Sequence, residues 1–280
     1  MNLPVVDAPA DTGEQKPPRW VVELILDLCG YTEAIDLTRL TLAMPDAGSG
    51  AFLLPTLERL VAARPAGRPW ADLMPCIRGW GIPDRRLAGL RWAAAGVLTA
   101  AGCPSDTGEE LCRAWLAAAS PSSDAAAERW ADVVVGGPVN ADCHEHSLAL
   151  LAEGGTVGFV GPDHWQHDEA GRRLRAKIAT RGFAVDAVIT LPANTPRGPL
   201  PANAPSRPVP ATASTITIIR RGPQEDAVVA HLRPQFGPAD TEALLDWIDF
   251  GSRRLSTPAV TATRLDHWPH SSAPWPSTDP

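Results

Sequence analysis

The sequence lacks a hydrophobic run long enough to form a transmembrane helix and lacks a leader that resembles a signal peptide. A membrane span needs roughly 18 consecutive apolar residues, and no segment approaches that length. The first residues, MNLPVVDAPADTGEQ, are acidic and contain proline, whereas a secretory signal begins with basic residues followed by an apolar stretch. We therefore expect a cytoplasmic protein with no membrane association.

Closely spaced cysteine pairs are also missing, because the five cysteines are scattered and form no CxxC motif. Disulfide frameworks and structural zinc sites use such pairs, so we expect reduced, mostly buried thiols and no metal. The segment DCHEH at 142–146 gathers several metal-ligating residue types. His144 and His146 are two residues apart and do not share a helix face, so a solvated helix start is the favoured interpretation.

An excess of basic residues is absent as well: 25 basic and 32 acidic residues give a net charge of −7. Phosphate contacts supply most of the affinity of DNA-binding domains, so this balance argues against a stand-alone DNA-binding domain. The basic helix around 172–181 is interpreted as a solvated face, with binding to phosphates or an acidic partner as the alternative. At 280 residues and 44% hydrophobic composition, the chain is long enough for one α/β domain with a large core.

The segments that are present alternate between strand and helix patterns, which favours a mostly parallel sheet with helices on both faces. We predict strands at 38–44, 132–136, 156–160, 184–191 and 213–220, the last two forming a terminal antiparallel hairpin because no helix separates them. The predicted organisation begins with a disordered lead-in (1–16), which is followed by a domain (17–235) that contains a Pro-rich loop (194–212). A C-terminal helix (236–255) and a Pro/Ser-rich tail (256–280) complete it.

A glycine-rich loop, DAGSGAFLL at 46–54, lies between a predicted strand and a predicted helix. Glycines let the backbone turn tightly and approach a ligand, and the following helix offers its N-terminal N–H groups. This arrangement is typical of nucleotide-type cofactor loops in α/β folds. The polar residues that follow the strand TVGFVGP are further pocket candidates, because ligands bind at the carboxyl ends of such strands; they are Asp163, His164 and Trp165.

With these elements in this order, the chain resembles the N6-adenine DNA methyltransferases, particularly the modification subunits of type I restriction systems. The resemblance covers roughly residues 13–235 and rests on the segments PDAGSGAFLLPTLERL, ADVVVGGPVN, LALLAEGGTVGFVGPDHW and ATASTITIIRRG. It implies a Rossmann-like class I methyltransferase fold with a mostly parallel seven-stranded sheet, and S-adenosylmethionine as a possible cofactor. The cofactor-binding positions it implies are Asp46, Gly48, Ser49, Gly50, Phe52 and Asp84.

The residues on which that family relies for chemistry are replaced here. Met44 occupies the position of an acid before the glycine loop, and Gly81 that of the acid that binds the ribose hydroxyls. The catalytic Asn-Pro-Pro-Tyr/Phe loop aligns with Gly137-Pro138-Val139-Asn140. Such enzymes hold a flipped base by hydrogen bonds and stacking, which Gly137 and Asn140 do not provide. We expect Met44 and Trp80 to fill the former cofactor pocket.

Three hypotheses remain open from the sequence. The first is a degenerate homologue without DNA-methylating activity that acts as a non-catalytic subunit, scaffold or regulator. The second is an enzyme that binds S-adenosylmethionine and acts on a non-DNA substrate such as a small molecule. The third is an active DNA methyltransferase that tolerates unusual motifs. The third is disfavoured because the sequence leaves no room for a target-recognition domain. We expect a protein partner to bind the Pro-rich loop or the tail. Trp268 and Trp275 of the tail are expected to pack either on a partner or on the domain itself. DNA is expected to bind only weakly or through the partner.

Overall fold

The computed structural model describes residues 16–45, 47–119, 129–137, 141–169, 171–192, 214–266, 268 and 275. Within them the chain forms one nine-stranded sheet flanked by helices. The strands are β1 (Leu42–Met44), β2 (Ile77–Gly79), β3 (Ala131–Gly136), β4 (Leu151–Pro162), β5 (Phe183–Thr190), β6 (Ser214–Arg221), β7 (Ala227–Leu232), β8 (Arg254–Ser256) and β9 (Val260–Leu265). The helices are α1 (Arg19–Leu28), α2 (Leu53–Ala62), α3 (Asp84–Ala100), α4 (Ser105–Trp115), α5 (Ala141–Leu150), α6 (His164–His167), α7 (Arg172–Thr180) and α8 (Pro238–Phe250).

The predicted α/β class is confirmed, but the predicted seven-stranded, mostly parallel sheet is wrong. The strand order is β2-β1-β3-β4-β6-β5-β7-β9-β8. Strands β2, β1, β3 and β4 are parallel neighbours, while β6 is antiparallel to both β4 and β5. The predicted antiparallel pair of β5 and β6 is present but is not terminal, because β7 pairs in parallel with β5, and β9 and β8 extend the sheet further.

Two helical layers cover the sheet, each burying one set of alternating strand residues. Helices α1, α2, α3, α4 and α8 pack on one face, and α5, α6 and α7 pack on the other. In β6, Ile216 and Ile218 belong to the first core and Ile219 to the second, as the two-residue period of a strand requires. Near-continuous apolar strands such as VVVG in β3 are explained by this burial on both faces.

The strand predicted at 38–44 is shortened to Leu42–Met44. The carboxylate of Asp36 accepts a hydrogen bond from the Thr38 backbone N–H, and a 3-10 turn then runs over Leu37–Arg39. Aspartate side chains compete in this way with strand hydrogen bonding. The other predicted strands correspond to β3, β4, β5 and β6, with end shifts of a few residues.

The segment predicted as a Pro/Ser-rich tail from 256 onwards contributes to the domain. Strand β9 pairs with β7 over six residue pairs, from Ala227↔Leu265 to Leu232↔Val260. Beyond it, Trp268 and Trp275 are buried in the second core. Of the two predicted fates of these tryptophans, the structure therefore shows packing on the domain itself. Residues 1–15 of the predicted lead-in (1–16) and the whole of the Pro-rich loop, 194–212, lie outside the described residues.

No helix in the described part of the chain combines the length and the apolar character needed to cross a membrane.

Candidate functional site

The loops singled out in the sequence meet at one edge of the sheet. Because β1, β2, β3 and β4 are parallel, their carboxyl ends share that edge. The glycine loop follows β1, Trp80 and Gly81 follow β2, Gly137 follows β3, and α6 follows β4. This edge is where ligands bind in open α/β folds, so it is the candidate site.

The glycine loop is a tight turn that leads into α2. A 3-10 turn runs over Ala47–Ser49, and Gly50 has a φ of 67°, a left-handed conformation that favours glycine. The Ser49 hydroxyl accepts a hydrogen bond from the Ala51 N–H (3.3 Å). Phe52, at the start of α2, is buried in the first core. Asp46 lies outside the described residues.

The N-terminal part of α3 packs directly against this turn. A side-chain carbon added at Gly50 would lie 2.4 Å from Cδ2 of Leu90, and one at Gly48 would lie 3.1 Å from Cδ of Pro83. The Arg86 guanidinium also donates a hydrogen bond to the Gly48 carbonyl oxygen (3.1 Å). The space beside Gly48 and Gly50 is thus bounded by Pro83 and Leu90 of the same chain. The sequence predicted the turn but not these contacts.

The ends of β1 and β2 carry few acidic groups among the described residues. Met44 is buried in the first core. Trp80 is buried too, but in the second core, beside Trp130 and His146, so it does not fill the space next to Met44. Gly81 has a φ of 72°, and Asp84 is exposed in the first turn of α3.

Gly137 is half-buried at the end of β3 and stands where the resembled family has its catalytic asparagine. A side-chain carbon at this position would lie 3.2 Å from the backbone oxygen of Val160 in β4. That distance is shorter than most contacts of a Cβ atom with a neighbouring group. The chain is therefore fitted to the absence of a side chain here. Pro138, Val139 and Asn140 lie outside the described residues.

Beyond the end of β4, aromatic rings pack together in place of an open polar loop. The buried His144 ring lies 4.5 Å from Phe159 and 4.7 Å from Trp165, and Trp165 lies 4.9 Å from Trp275 (centroid distances). The Trp275 backbone N–H donates to the Gln166 carbonyl oxygen (2.9 Å). His144 is therefore a core residue, contrary to the predicted solvated helix start. Asp163 is half-buried, and the His164 side chain lies outside the described residues.

Among the described residues, no group of three or more His, Cys, Asp or Glu side chains could hold a metal ion. The predicted basic helix, α7, is only partly a solvated face. Arg175 is buried and donates to the Trp165 carbonyl oxygen (2.6 Å), and Lys177 pairs with Glu145 of α5 (3.1 Å). Arg175 is therefore used inside the chain, while the Lys177–Glu145 pair links α7 with α5 at a partly exposed position.

Comparison with known proteins supports the motif-based interpretation. The chain is 31% identical over 204 residues to the type II methyltransferase M.XhoI of Xanthomonas vasicola, covering 61% of this chain and 37% of the relative. It is 31% identical over 193 residues to M.PaeR7I of Pseudomonas aeruginosa, covering 58% and 33%. The chain thus spans little more than a third of the length of these relatives. No protein-family model matches it.

Solved structures show the same fold. The modification subunit of a putative type I restriction enzyme from Vibrio vulnificus superposes with a TM-score of 0.62 at 14% identity, covering 92% of this chain and 57% of that subunit. The type I methyltransferase subunit from Streptococcus thermophilus gives 0.58 at 15% identity, covering 91% and 56%. S-adenosylmethionine is the cofactor that this similarity supports. The motifs, the relatives and the fold agree that the chain is similar to the N6-adenine-type, class I methyltransferases of restriction–modification systems.

Proposed function

We propose that this chain is a degenerate homologue of those methyltransferases that does not methylate DNA and acts as a non-catalytic subunit, scaffold or regulator. The observation that carries the proposal is Gly137. An N6-adenine methyltransferase of the resembled type needs a side-chain acceptor there to position the exocyclic amine of a flipped base. The backbone oxygen of Val160 lies 3.2 Å from where a side-chain carbon would stand, so a return to asparagine requires the Val160 backbone or the loop to shift by a few tenths of an ångström.

The residues at the ends of β1 and β2 fit S-adenosylmethionine poorly. Charged hydrogen bonds contribute about 1.5–3 kcal/mol each, and the two acids implied by the resemblance are replaced by Met44 and Gly81. Neither replacement is readily reversed: Met44 is in the core, and the φ of Gly81 is left-handed, which disfavours any side chain. Loss of both bonds weakens binding by about 10²–10⁴-fold, since about 1.4 kcal/mol is tenfold.

A second function is favoured by one specific observation, the retained glycine turn at the carboxyl edge of β1. Such a turn with a following helix N-terminus is suited to holding a cofactor. On this alternative, the chain binds S-adenosylmethionine and acts on a non-DNA, small-molecule substrate. The half-buried Ala47, Gly48 and Ser49 would then supply backbone contacts only.

A protein partner is proposed by analogy, because the structural neighbours described above are subunits of restriction–modification enzymes. The Pro-rich loop 194–212 is the proposed contact. It leaves β5 and enters β6 at the candidate edge, where the Leu191 N–H donates to the Ser214 carbonyl oxygen (2.8 Å). The tail tryptophans are not proposed as anchors, because Trp268 and Trp275 are buried within the chain.

The proposal is tested by transfer of a labelled methyl group from S-adenosylmethionine to adenine in duplex DNA. We expect no incorporation by the wild-type chain, and calorimetry should give no binding tighter than about 1 mM. The matched variants are Gly137→Ala and Gly237→Ala, because a side chain at Gly237 meets nothing within 4 Å. The proposal would be overturned if the wild-type chain and Gly237→Ala incorporated the labelled methyl group into DNA and Gly137→Ala did not. Binding tighter than about 1 mM without DNA methylation would favour the alternative.

A further inference from the structure

Helix α3 presents an exposed face that is uncharged, consists mostly of small residues and includes Thr99. Trp92, in the middle of the helix, is 69% exposed. Gly89 and Gly96 lie on the same face because they are seven residues, or about two turns, apart, and the exposed Ala88 and Ala100 continue the face. Between Arg86 and Ala100, no exposed residue of α3 is charged. A soluble helix normally presents charged or polar residues on its outer face.

No contact among the described residues explains these two glycines. Glycine in a helix interior costs about 1 kcal/mol relative to alanine. Within the described part of the chain, a side-chain carbon at Gly89 or Gly96 would meet nothing within 4 Å, whereas one at Gly50 or Gly48 would meet α3 or the loop before it. The missing side chains at 89 and 96 therefore serve no close packing between described residues, although they would permit another helix to approach the α3 backbone closely.

We propose that this face binds the same face of a second copy of the chain, as an antiparallel α3–α3 pair about a two-fold axis. The pattern is self-complementary about the point between Trp92 and Ala93: Gly89 then lies opposite Gly96 of the partner subunit. A helical side chain leans toward the helix N-terminus, so Trp92 lies over the turn that contains Gly89. Its ring thereby meets the partner subunit's Gly96, and the contact occurs twice.

Charge complementarity singles out a second copy as the occupant. Arg85 is exposed at the N-terminal end of α3, and the exposed Asp106 and Glu110 lie on α4, beside the C-terminal end of α3. The neighbouring Glu109 pairs with Arg113 of its own helix (2.7 Å). Gly108 of α4 packs against Leu98, which places the start of α4 at that end. The two-fold arrangement brings Arg85 opposite the partner subunit's Ala100, next to this acidic turn. Cations are also favoured at a helix C-terminus.

The test is the oligomeric state of the full chain, measured by sedimentation velocity at concentrations up to about 0.1 mM. We expect a dimer for the wild type. Trp92→Ala should raise the dissociation constant by about 30-fold or more, as for an interface hot spot. Gly96→Leu should abolish the dimer, because the added side chain blocks the helix approach. Arg85→Glu should weaken it, and more so at low salt.

The matched control is Phe250→Ala, which removes an aromatic ring that is 88% exposed at the end of α8. It should leave the dimer unchanged. Thermal unfolding separates loss of the dimer from loss of the fold, because leucine is a better helix former than glycine, so Gly96→Leu should yield a folded monomer. A wild type that is monomeric at about 0.1 mM would overturn the proposal, as would a dimer that Trp92→Ala and Gly96→Leu leave intact. Neither result bears on the absence of DNA methylation.

Discussion

Replacing Gly50 by alanine is expected to destabilise the fold through two separable effects. A left-handed φ costs a non-glycine residue about 1–2 kcal/mol. The new methyl group would also lie 2.4 Å from Cδ2 of Leu90, and overpacking of this kind costs about 1–3 kcal/mol. Because the contact is with the flexible end of a side chain, the steric cost should lie near the lower limit. We expect a total loss of about 2–4 kcal/mol in the free energy of unfolding.

Two further variants separate these effects. In a Leu90→Ala background the steric cost disappears, so Gly50→Ala should cost only about 1–2 kcal/mol. Gly67→Ala is the control, since Gly67 has a φ of 81° and nothing lies within 4 Å of the added carbon. It should show the backbone cost alone and no coupling to Leu90. Urea unfolding at equilibrium measures the three single variants Gly50→Ala, Gly67→Ala and Leu90→Ala and the two double variants that combine each glycine change with Leu90→Ala. A coupling between positions 50 and 90 below about 0.5 kcal/mol would refute the packing of α3 on the glycine turn.

Two other variants or treatments test the second core and the thiols. Trp275→Ala should lower the free energy of unfolding by about 3–5 kcal/mol, because Trp275 is only 4% exposed. The control Phe250→Ala should have little effect, because that ring is exposed. Equal losses of stability in thermal unfolding would contradict the packing of Trp275 in the second core. Burial raises the pKa values of Cys76 and Cys112 to about 11, so their thiolate fractions at pH 8 are small and both should react slowly with a thiol reagent in the folded protein. Cys143, the least buried cysteine, should react first, and rapid labelling of Cys76 without denaturant would contradict this order.

The sequence predicts those parts of the fold that depend on local patterns. Strands β3 and β5 contain runs of apolar residues, and β6 is rich in β-branched threonine and isoleucine. These are local strand signals, so the positions of the three strands were predicted to within a few residues. Strands β7 and β9 were missed because AVVAHL and VTATRL are short and mix apolar residues with polar ones. Their place in the sheet is set by pairing with each other across α8, which is not a local property.

For the candidate site, the sequence predicted which loops meet at the edge of the sheet but not the contacts around them. Parallel strands bring the glycine turn and Gly137 to one edge, and the alternation of strands and helices was sufficient to infer this. The covering of the turn by Leu90 depends on a contact between segments 40 residues apart. His144 was misassigned because its burial depends on Phe159 of β4 and Trp165 of α6, which are not its neighbours in the sequence.

The position of β6 has a consequence for how the chain acquires its structure. Among the described strands, β6 alone connects β2-β1-β3-β4 with β5-β7-β9-β8, through seven residue pairs on each side. It follows β5 in the sequence only after the segment 193–213, so β4 and β5 must leave a gap one strand wide until β6 enters. Such non-local insertion slows folding. A chain that has grown only as far as Ser214 therefore holds the half-sheet β2-β1-β3-β4 with an open edge at β4, together with a β5 that has neither of its neighbours. Open edges of this kind are prone to pair with other chains.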